Sequence, residues 1–291
     1  NDGNFIFEAC EYKDSFLSFY PRIAVVLNVR LDHTDYFASL EQLKRSFRQF
    51  MNNAGDSGIA LVNADAPDAV EAARDVLPQV RYFSVKDPAA DYFAGSITYD
   101  GGFASFDIYA FGTLLCRASL SVIGSFNVSN ALAAAASAHL SGVSAKAIAR
   151  GLSEFRGVAR RFEYLGELNG ARVFTDYAHH PDELKATLAA AKAAAGGRLV
   201  TLFQPHTFSR LHDLFDDFAA SFGDSSLPLF TDVFSAREVN TSGVHAGLLA
   251  DAAGGVYLPT LEESARYLEA NVRPGDTVLL ENQNVTYYDT L

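Results

Sequence analysis

An acid, a phenol and two imidazoles crowd one short stretch, Val173-Phe174-Thr175-Asp176-Tyr177-Ala178-His179-His180-Pro181, which runs on into Asp182-Glu183-Leu184-Lys185. Apolar residues lead in as a strand does, and the polar cluster follows where that strand should end. Pro181 opens a helical run; proline is tolerated at a first helical position, where the N–H is unpaired in any case. Asp182 and Glu183 suit the positive end of the new helix dipole. The functional groups therefore sit at the carboxyl end of a strand and the amino end of a helix, which is where ligands bind in open α/β sheets. A polar βα loop with a helix cap would use the same residues.

Two further stretches repeat the arrangement. Gln204-Pro205-His206-Thr207-Phe208-Ser209-Arg210 joins a strand to a helix with His and Arg at the junction, and Asp232-Val233-Phe234-Ser235-Ala236-Arg237-Glu238 follows the next strand. Three successive strands thus deliver ionisable groups to one sheet edge. A carboxylate and an imidazole, Glu8 and His33, follow two strand-like runs near the start; on neighbouring parallel strands they would share an edge and suit Mg²⁺ beside a phosphate. Two solvated strand ends are the alternative. Asn127 and Asn130 stand three apart at a helix start, either as caps or as amides that read the edge of a base. Arg160-Arg161 is either a surface pair or a guanidinium clamp for phosphate.

The elements that must position these groups divide the chain in two. In the first part, strands are expected at Asn4–Ala9, Arg22–Val29, Ile59–Ala64 and Val80–Val85. Helices are expected after Ser39, which forms a capping box with Gln42, and from Pro67. From Ala94 to Val122 the pattern is of antiparallel hairpins, broken at Asp100-Gly101-Gly102 and Phe111-Gly112-Thr113. Helices follow at Asn127–Leu140 and Ser144–Phe155. The domain boundary is expected at Gly157–Arg161, giving domains 1–158 and 159–291. Beyond it, strands (Arg172–Thr175, Arg198–Phe203, Leu227–Thr231, Val256–Leu258, Thr277–Leu280) alternate with helices (Pro181–Ala195, Phe208–Phe222, His245–Ala253, Glu262–Val272). That alternation predicts an α/β domain of Rossmann type on a parallel sheet.

The totals suit a globular chain: 291 residues, 49% apolar and 20% charged. A net charge of −12 argues against a nucleic-acid surface. No apolar run approaches the ~20 residues of a membrane span, and no signal peptide opens the chain. The two cysteines, Cys10 and Cys116, make no disulfide framework. A cytoplasmic location is the expectation.

Read together and in order, Glu-Ala-Cys-Glu-Tyr, Asn-Val-Arg-Leu-Asp-His-Thr-Asp-Tyr, Gly-Ser-Phe-Asn-Val-Ser-Asn-Ala-Leu, Ala-Arg-Arg-Phe-Glu, Asp-Tyr-Ala-His-His-Pro, Phe-Gln-Pro-His-Thr-Phe-Ser-Arg and Asp-Val-Phe-Ser-Ala-Arg-Glu resemble the Mur ligases over nearly the whole chain. The resemblance implies a truncated central NTPase-like domain followed by a Rossmann-like C-terminal domain. It implies an ATP-dependent, ADP-forming ligase of peptidoglycan precursor synthesis, with UDP-N-acetylmuramate and L-alanine as substrates. The muramic carboxylate would attack the γ-phosphate of ATP, and the alanine amine would displace phosphate from the acyl phosphate. By motif, Glu8 and His33 become Mg²⁺ ligands, Asn127 and Asn130 adenine contacts, Arg161 a phosphate contact and Asp176 a ribose contact. Tyr177, His179, His206 and Arg210 become the acceptor amino-acid side.

The sequence also departs from the family. It holds no G-x-x-x-x-G-K-[ST] phosphate loop: Gly-Gly at 101–102, 196–197 and 254–255 is never followed by Lys-Ser or Lys-Thr. The family's N-terminal domain for the UDP part is absent from these residues. Phe126 stands where many members have His, Thr207 where many have Arg, and Leu280-Glu281-Asn282-Gln283-Asn284-Val285 replaces a glycine-rich turn. These 291 residues by themselves are therefore expected to be inactive. The alternatives are a non-catalytic nucleotide- or partner-binding module, and a relative that adds a peptide to UDP-N-acetylmuramate.

Overall fold

The computed structural model describes residues 3–34, 36–100 and 102–281. The chain clusters into two compact units: Asn1–Thr98, Ala104–Leu120 and Phe126–Glu154 form one, and Tyr99–Phe103, Ser121–Ser125 and Phe155–Leu291 the other.

The first sheet has the order β1 (Ile23–Val26), β2 (Ile59–Asn63), β3 (Gln79–Ser84), β4 (Tyr92–Asp100), β5 (Phe103–Ala110), β6 (Thr113–Ile123). β1 to β4 pair in parallel. The last three strands are linked by two-residue connections, a span that only antiparallel neighbours can close. The turn glycine Gly101 lies outside the described residues. Helices α1 (Leu40–Asn52), α2 (Pro67–Ala72), α3 (Phe126–Leu140) and α4 (Ala145–Glu154) complete the elements. The core gathers Phe16, Val26, Phe37, Leu43, Phe50, Met51 and Val62. Ser39 caps α1 by accepting from Gln42 N at 3.3 Å, but Gln42 Oε1 reaches back to Ala38 N at 2.9 Å. The reciprocal box is thus displaced by one residue.

The strand expected at Asn4–Ala9 does not form. Those residues are irregular, with Phe5 82% and Ile6 92% exposed. Apolar character alone makes no strand without a ladder partner to satisfy its backbone groups.

The second unit is built on the order β11 (Val256–Tyr257), β10 (Leu227–Phe230), β9 (Leu199–Phe203), β12 (Thr277–Glu281), β8 (Ala171–Asp176), β7 (Glu163–Leu168). All neighbours are parallel except β7 and β8. Side chains alternate between two buried faces, as a parallel sheet covered on both sides requires. Phe174, Phe203, Phe230 and Leu279 enter one core; Val173, Leu202, Leu229, Val278 and Leu280 enter the other. The helices are α5 (Pro181–Ala194), α6 (Phe208–Asp213), α7 (Phe215–Ala219), α8 (Ala246–Ala253) and α9 (Leu261–Asn271).

Two features of this unit escape the sequence pattern. β7 is an added antiparallel strand, mostly half-exposed and bulged between Tyr164 and Gly166, so it lacks a clean alternation. The single helix expected at Phe208–Phe222 breaks at Leu214, whose φ of −117° and ψ of 25° are not helical.

Phe203 is fully buried, with the rings of Phe218, Phe222 and Phe230 at 5.7, 5.5 and 6.4 Å. Phe203→Ala is expected to destabilise the chain by about 3–5 kcal/mol, the range for an aromatic removed from a packed core. Urea unfolding measures this.

Candidate functional site

Because β8, β12, β9 and β10 run parallel and in register, their carboxyl ends lie in one row. Asp176 is opposite Glu281, Glu281 opposite Phe203, and Phe203 opposite Phe230. The residues that follow each strand therefore emerge together.

After β8, His179 Nδ1 lies 2.9 Å from the Tyr177 carbonyl. A carbonyl only accepts, so Nδ1 carries hydrogen and Nε2 is the basic nitrogen of the neutral ring. Glu183 stands 3.6 Å from the same Nδ1. His180 does the opposite: its Nδ1 accepts from Asp182 N at 3.3 Å and caps α5. Glu183 accepts from the backbone N–H groups of both histidines, at 3.1 and 3.3 Å. Of the two adjacent imidazoles, one is a cap and the other stays in the cluster.

The structure brings Tyr177, His179 and His206 together. Ring centroids are 5.2 Å apart for Tyr177 and His179, and 6.4 Å for His179 and His206. Arg210, on α6, reaches back with Nη1 to the His206 carbonyl at 3.3 Å. The Arg160 guanidinium covers the Tyr177 ring at 4.4 Å and that of Arg161 lies at 5.9 Å, so both cations approach the phenol. Asp176 is 3% exposed and accepts from Phe162 N at 2.8 Å and Ala178 N at 2.9 Å. Its carboxylate ties the start of β7 to the loop after β8. Burial raises the Asp176 pKa; these two N–H groups oppose the shift.

In the first unit the strand expected to end at Glu8 is not formed. Glu8 is exposed in an irregular segment and ends no strand. His33 takes a left-handed φ of 52°, and its Nε2 pairs with Glu11 Oε1 at 3.4 Å. That hydrogen bond is the main cause lowering the Glu11 pKa. Among the described residues no group of three or more His, Cys, Asp or Glu could hold a metal ion. Asn127 and Asn130 lie about one turn apart at the start of α3 and bond each other, Asn130 Nδ2 donating to Asn127 Oδ1 at 3.2 Å. Asp35, within the His33 motif, and residues 282–285, which replace the glycine-rich turn, lie outside the described residues.

Sequence reasoning passed over Glu281. It is fully buried at the end of the central strand, opposite Asp176. Burial drives its pKa well above the ordinary carboxylate value; Asp176 and Glu183 push the same way and Arg161 opposes. An acid closing the apolar run Val278-Leu279-Leu280 was the available signal. Phe234 and Glu238 were visible in the motif without an assigned task. Phe234 stacks on His206 with centroids 5.4 Å apart, and Glu238 accepts from Ser209 N at 2.9 Å.

Comparison with known proteins gives the family. Residues 3–138 match the Mur ligase middle domain and residues 160–281 match the Mur ligase glutamate ligase domain. The chain belongs to the Mur ligase family. It is 38% identical over 281 residues to a UDP-N-acetylmuramate–L-alanine ligase of Acetivibrio thermocellus, covering 94% of this chain and 60% of that protein. A ligase of the same name from Clostridium acetobutylicum is 40% identical, with 94% and 61% covered. The structure of UDP-N-acetylmuramate-alanine ligase from Thermotoga maritima superposes with a TM-score of 0.74 at 22% identity, over 94% of this chain and 59% of that one. The chain spans about three fifths of the length of the relatives it matches. As a Mur ligase sequence it has the expected two α/β domains, and no described helix is long and apolar enough to cross a membrane.

The contribution of Glu281 to stability should fall as pH rises above the ordinary glutamate value of ~4.3, because burial favours a proton on Glu281 in the folded state that the unfolded chain releases. Glu281→Gln removes that proton linkage. The variant is expected to melt above the wild type near neutral pH, with the difference vanishing in acid. Calorimetry across pH measures it; identical pH dependence of the two proteins would contradict a protonated Glu281.

Proposed function

We propose that the chain is the middle and C-terminal part of a ligase that joins L-alanine to UDP-N-acetylmuramate with cleavage of ATP to ADP and phosphate. The observation that carries the reading is the cluster of Tyr177, His179 and His206 beyond β8 and β9, in a chain 38–40% identical to enzymes of that name.

The chemistry asks for few groups. Phosphoryl transfer depends on positioning and charge neutralisation more than on covalent help from the protein. The muramic carboxylate attacks the γ-phosphorus of ATP and ADP leaves. The alanine amine then attacks the acyl carbon and phosphate leaves. In this reading Arg210 holds the alanine carboxylate through two parallel hydrogen bonds. The amine must be neutral to attack. His179 suits the proton transfer, because its Nδ1–H is committed to the Tyr177 carbonyl and Nε2 is left as the acceptor nitrogen. His206 and Tyr177 complete the acceptor side.

Arg161 is assigned to phosphate, Asn127 and Asn130 to adenine and Asp176 to ribose. Asp176 also serves the chain itself, through Phe162 and Ala178. Mg²⁺ enters the proposal as the ion that accompanies ATP, with Glu8 and His33 at the family's positions and Glu11 as the partner His33 holds here. A cytoplasmic location follows from such substrates.

Two outcomes test the proposal. The 291 residues alone, which contain no P-loop sequence, are expected to release no phosphate from ATP with UDP-N-acetylmuramate and L-alanine. In a ligase polypeptide that carries this chain with a P-loop, Arg210→Lys should raise the KM for alanine about tenfold or more and leave that for ATP nearly unchanged, since the charge stays and the fork is lost. Equal effects on both substrates would remove Arg210 from the acceptor side.

A further inference from the structure

Thr207 has φ 67° and ψ 146°, beside the part of backbone space that is essentially glycine's alone. For a β-branched residue this is a true outlier. Such a conformation persists only where the surroundings over-determine it.

Those surroundings come from the segment after β10. His206 and Phe234 form an isolated parallel bridge. Phe234 N donates to the Pro205 carbonyl at 2.9 Å, and Thr207 N donates to the Phe234 carbonyl at 3.1 Å. The Phe234 ring lies on His206 with an interplanar angle of 30°. On the other side of Thr207, Glu238 grips Ser209 with both oxygens: Oε2 accepts from the backbone N–H at 2.9 Å and Oε1 from the hydroxyl at 2.5 Å. Burial works against the charge on Glu238, yet the Ser209 hydroxyl and N–H, with the Phe208 N–H and Thr207 hydroxyl, outweigh it and hold its pKa below the usual range. The strained residue is therefore clamped from both sides by one segment. His206 immediately precedes it, and Arg210 lies in the first turn of the helix that follows.

We propose that Glu238 is a positioning residue: as a carboxylate it anchors Ser209 and, with Phe234, holds Thr207 in its strained turn so that His206 is presented to His179. What His206 then does rests on the acceptor-side reading above; the clamp itself does not.

The test is NMR of the histidine side chains in the 291-residue chain, with the His206 signals assigned through His206→Gln. In the wild type, His206 should carry ring-current shifts from Phe234 and His179. Glu238→Ala should collapse those shifts while His139, bonded to Tyr92 in the other compact unit, keeps its own. Glu238→Gln, which retains one oxygen acceptor, should give an intermediate position. Thr207→Gly removes the strain, so it should leave His206 in place and make Glu238→Ala move His206 less in that background; the double variant serves as the readout if Glu238→Ala alone fails to fold. A Glu238 that only stabilises the fold would lower the Tm and leave the His206 signals of every folded variant at the wild-type position, and that result overturns the proposal. Titration with L-alanine separates the two layers. Alanine-dependent shifts of His206 that require about tenfold more ligand in Glu238→Gln support both. No response of wild-type His206 to alanine removes the acceptor reading, and the clamp is then decided by the ligand-free spectra.

Discussion

The insertion of β12 between β8 and β9 is the constraint on which the candidate site depends. The strand is last among the described elements and pairs with both neighbours over its five residues. Without it, β8 and β9 would not be members of one continuous sheet, and the loops bearing His179 and His206 would have no fixed relation. Parallel pairing also fixes the direction: every strand ends at the same edge, so each following loop starts from the same line. The ring contact between His179 and His206 is a consequence of register.

The same insertion brings a buried carboxyl against Asp176. Two acids side by side in a dry sheet cannot both hold charge comfortably, and their titration belongs to the pair. Asp176 has two backbone N–H donors, which favour its ionised form, while Glu281 lies fully buried beside it. The loop after β8 is thus anchored from below by Asp176 and from its helix by Glu183, which holds the N–H groups of His179 and His180. The residues exposed to chemistry are few, and those that fix them are mostly carboxylates accepting from backbone.

The first unit shows a different economy. Its sheet is parallel through β4 and then turns to hairpins. Lys44 gathers Glu41, Asp68 and Glu71 within 3.0 Å, an ion cluster that ties α1 to α2. His33 is committed to Glu11, and Asn127 to Asn130. In the first unit His33 and Asn127 thus have side-chain partners close in sequence or space, whereas in the second unit the rings of His179 and His206 meet from two loops.

Much of this was legible in the sequence. The alternation of strand and helix after residue 171, the place of Pro181 at the start of α5 and the position of His179 and His206 just beyond strand ends follow from local pattern, because helix and strand periods and caps are short-range properties; that β12 stands between their two strands does not. The sequence motifs likewise determined the family. What only the tertiary structure decided was of another kind. Asn4–Ala9 had the composition of a strand and found no ladder. Glu8 had the family's position, and Glu11 became the partner of His33. Glu281 read as the polar end of a strand and proved fully buried opposite Asp176. Glu238, 29 residues away from Ser209, clamps a turn whose strain no local pattern announces. A side chain's partner across tens of residues, and its exposure to water, are set by which strands pair and in what register, and that is a property of the assembled sheet.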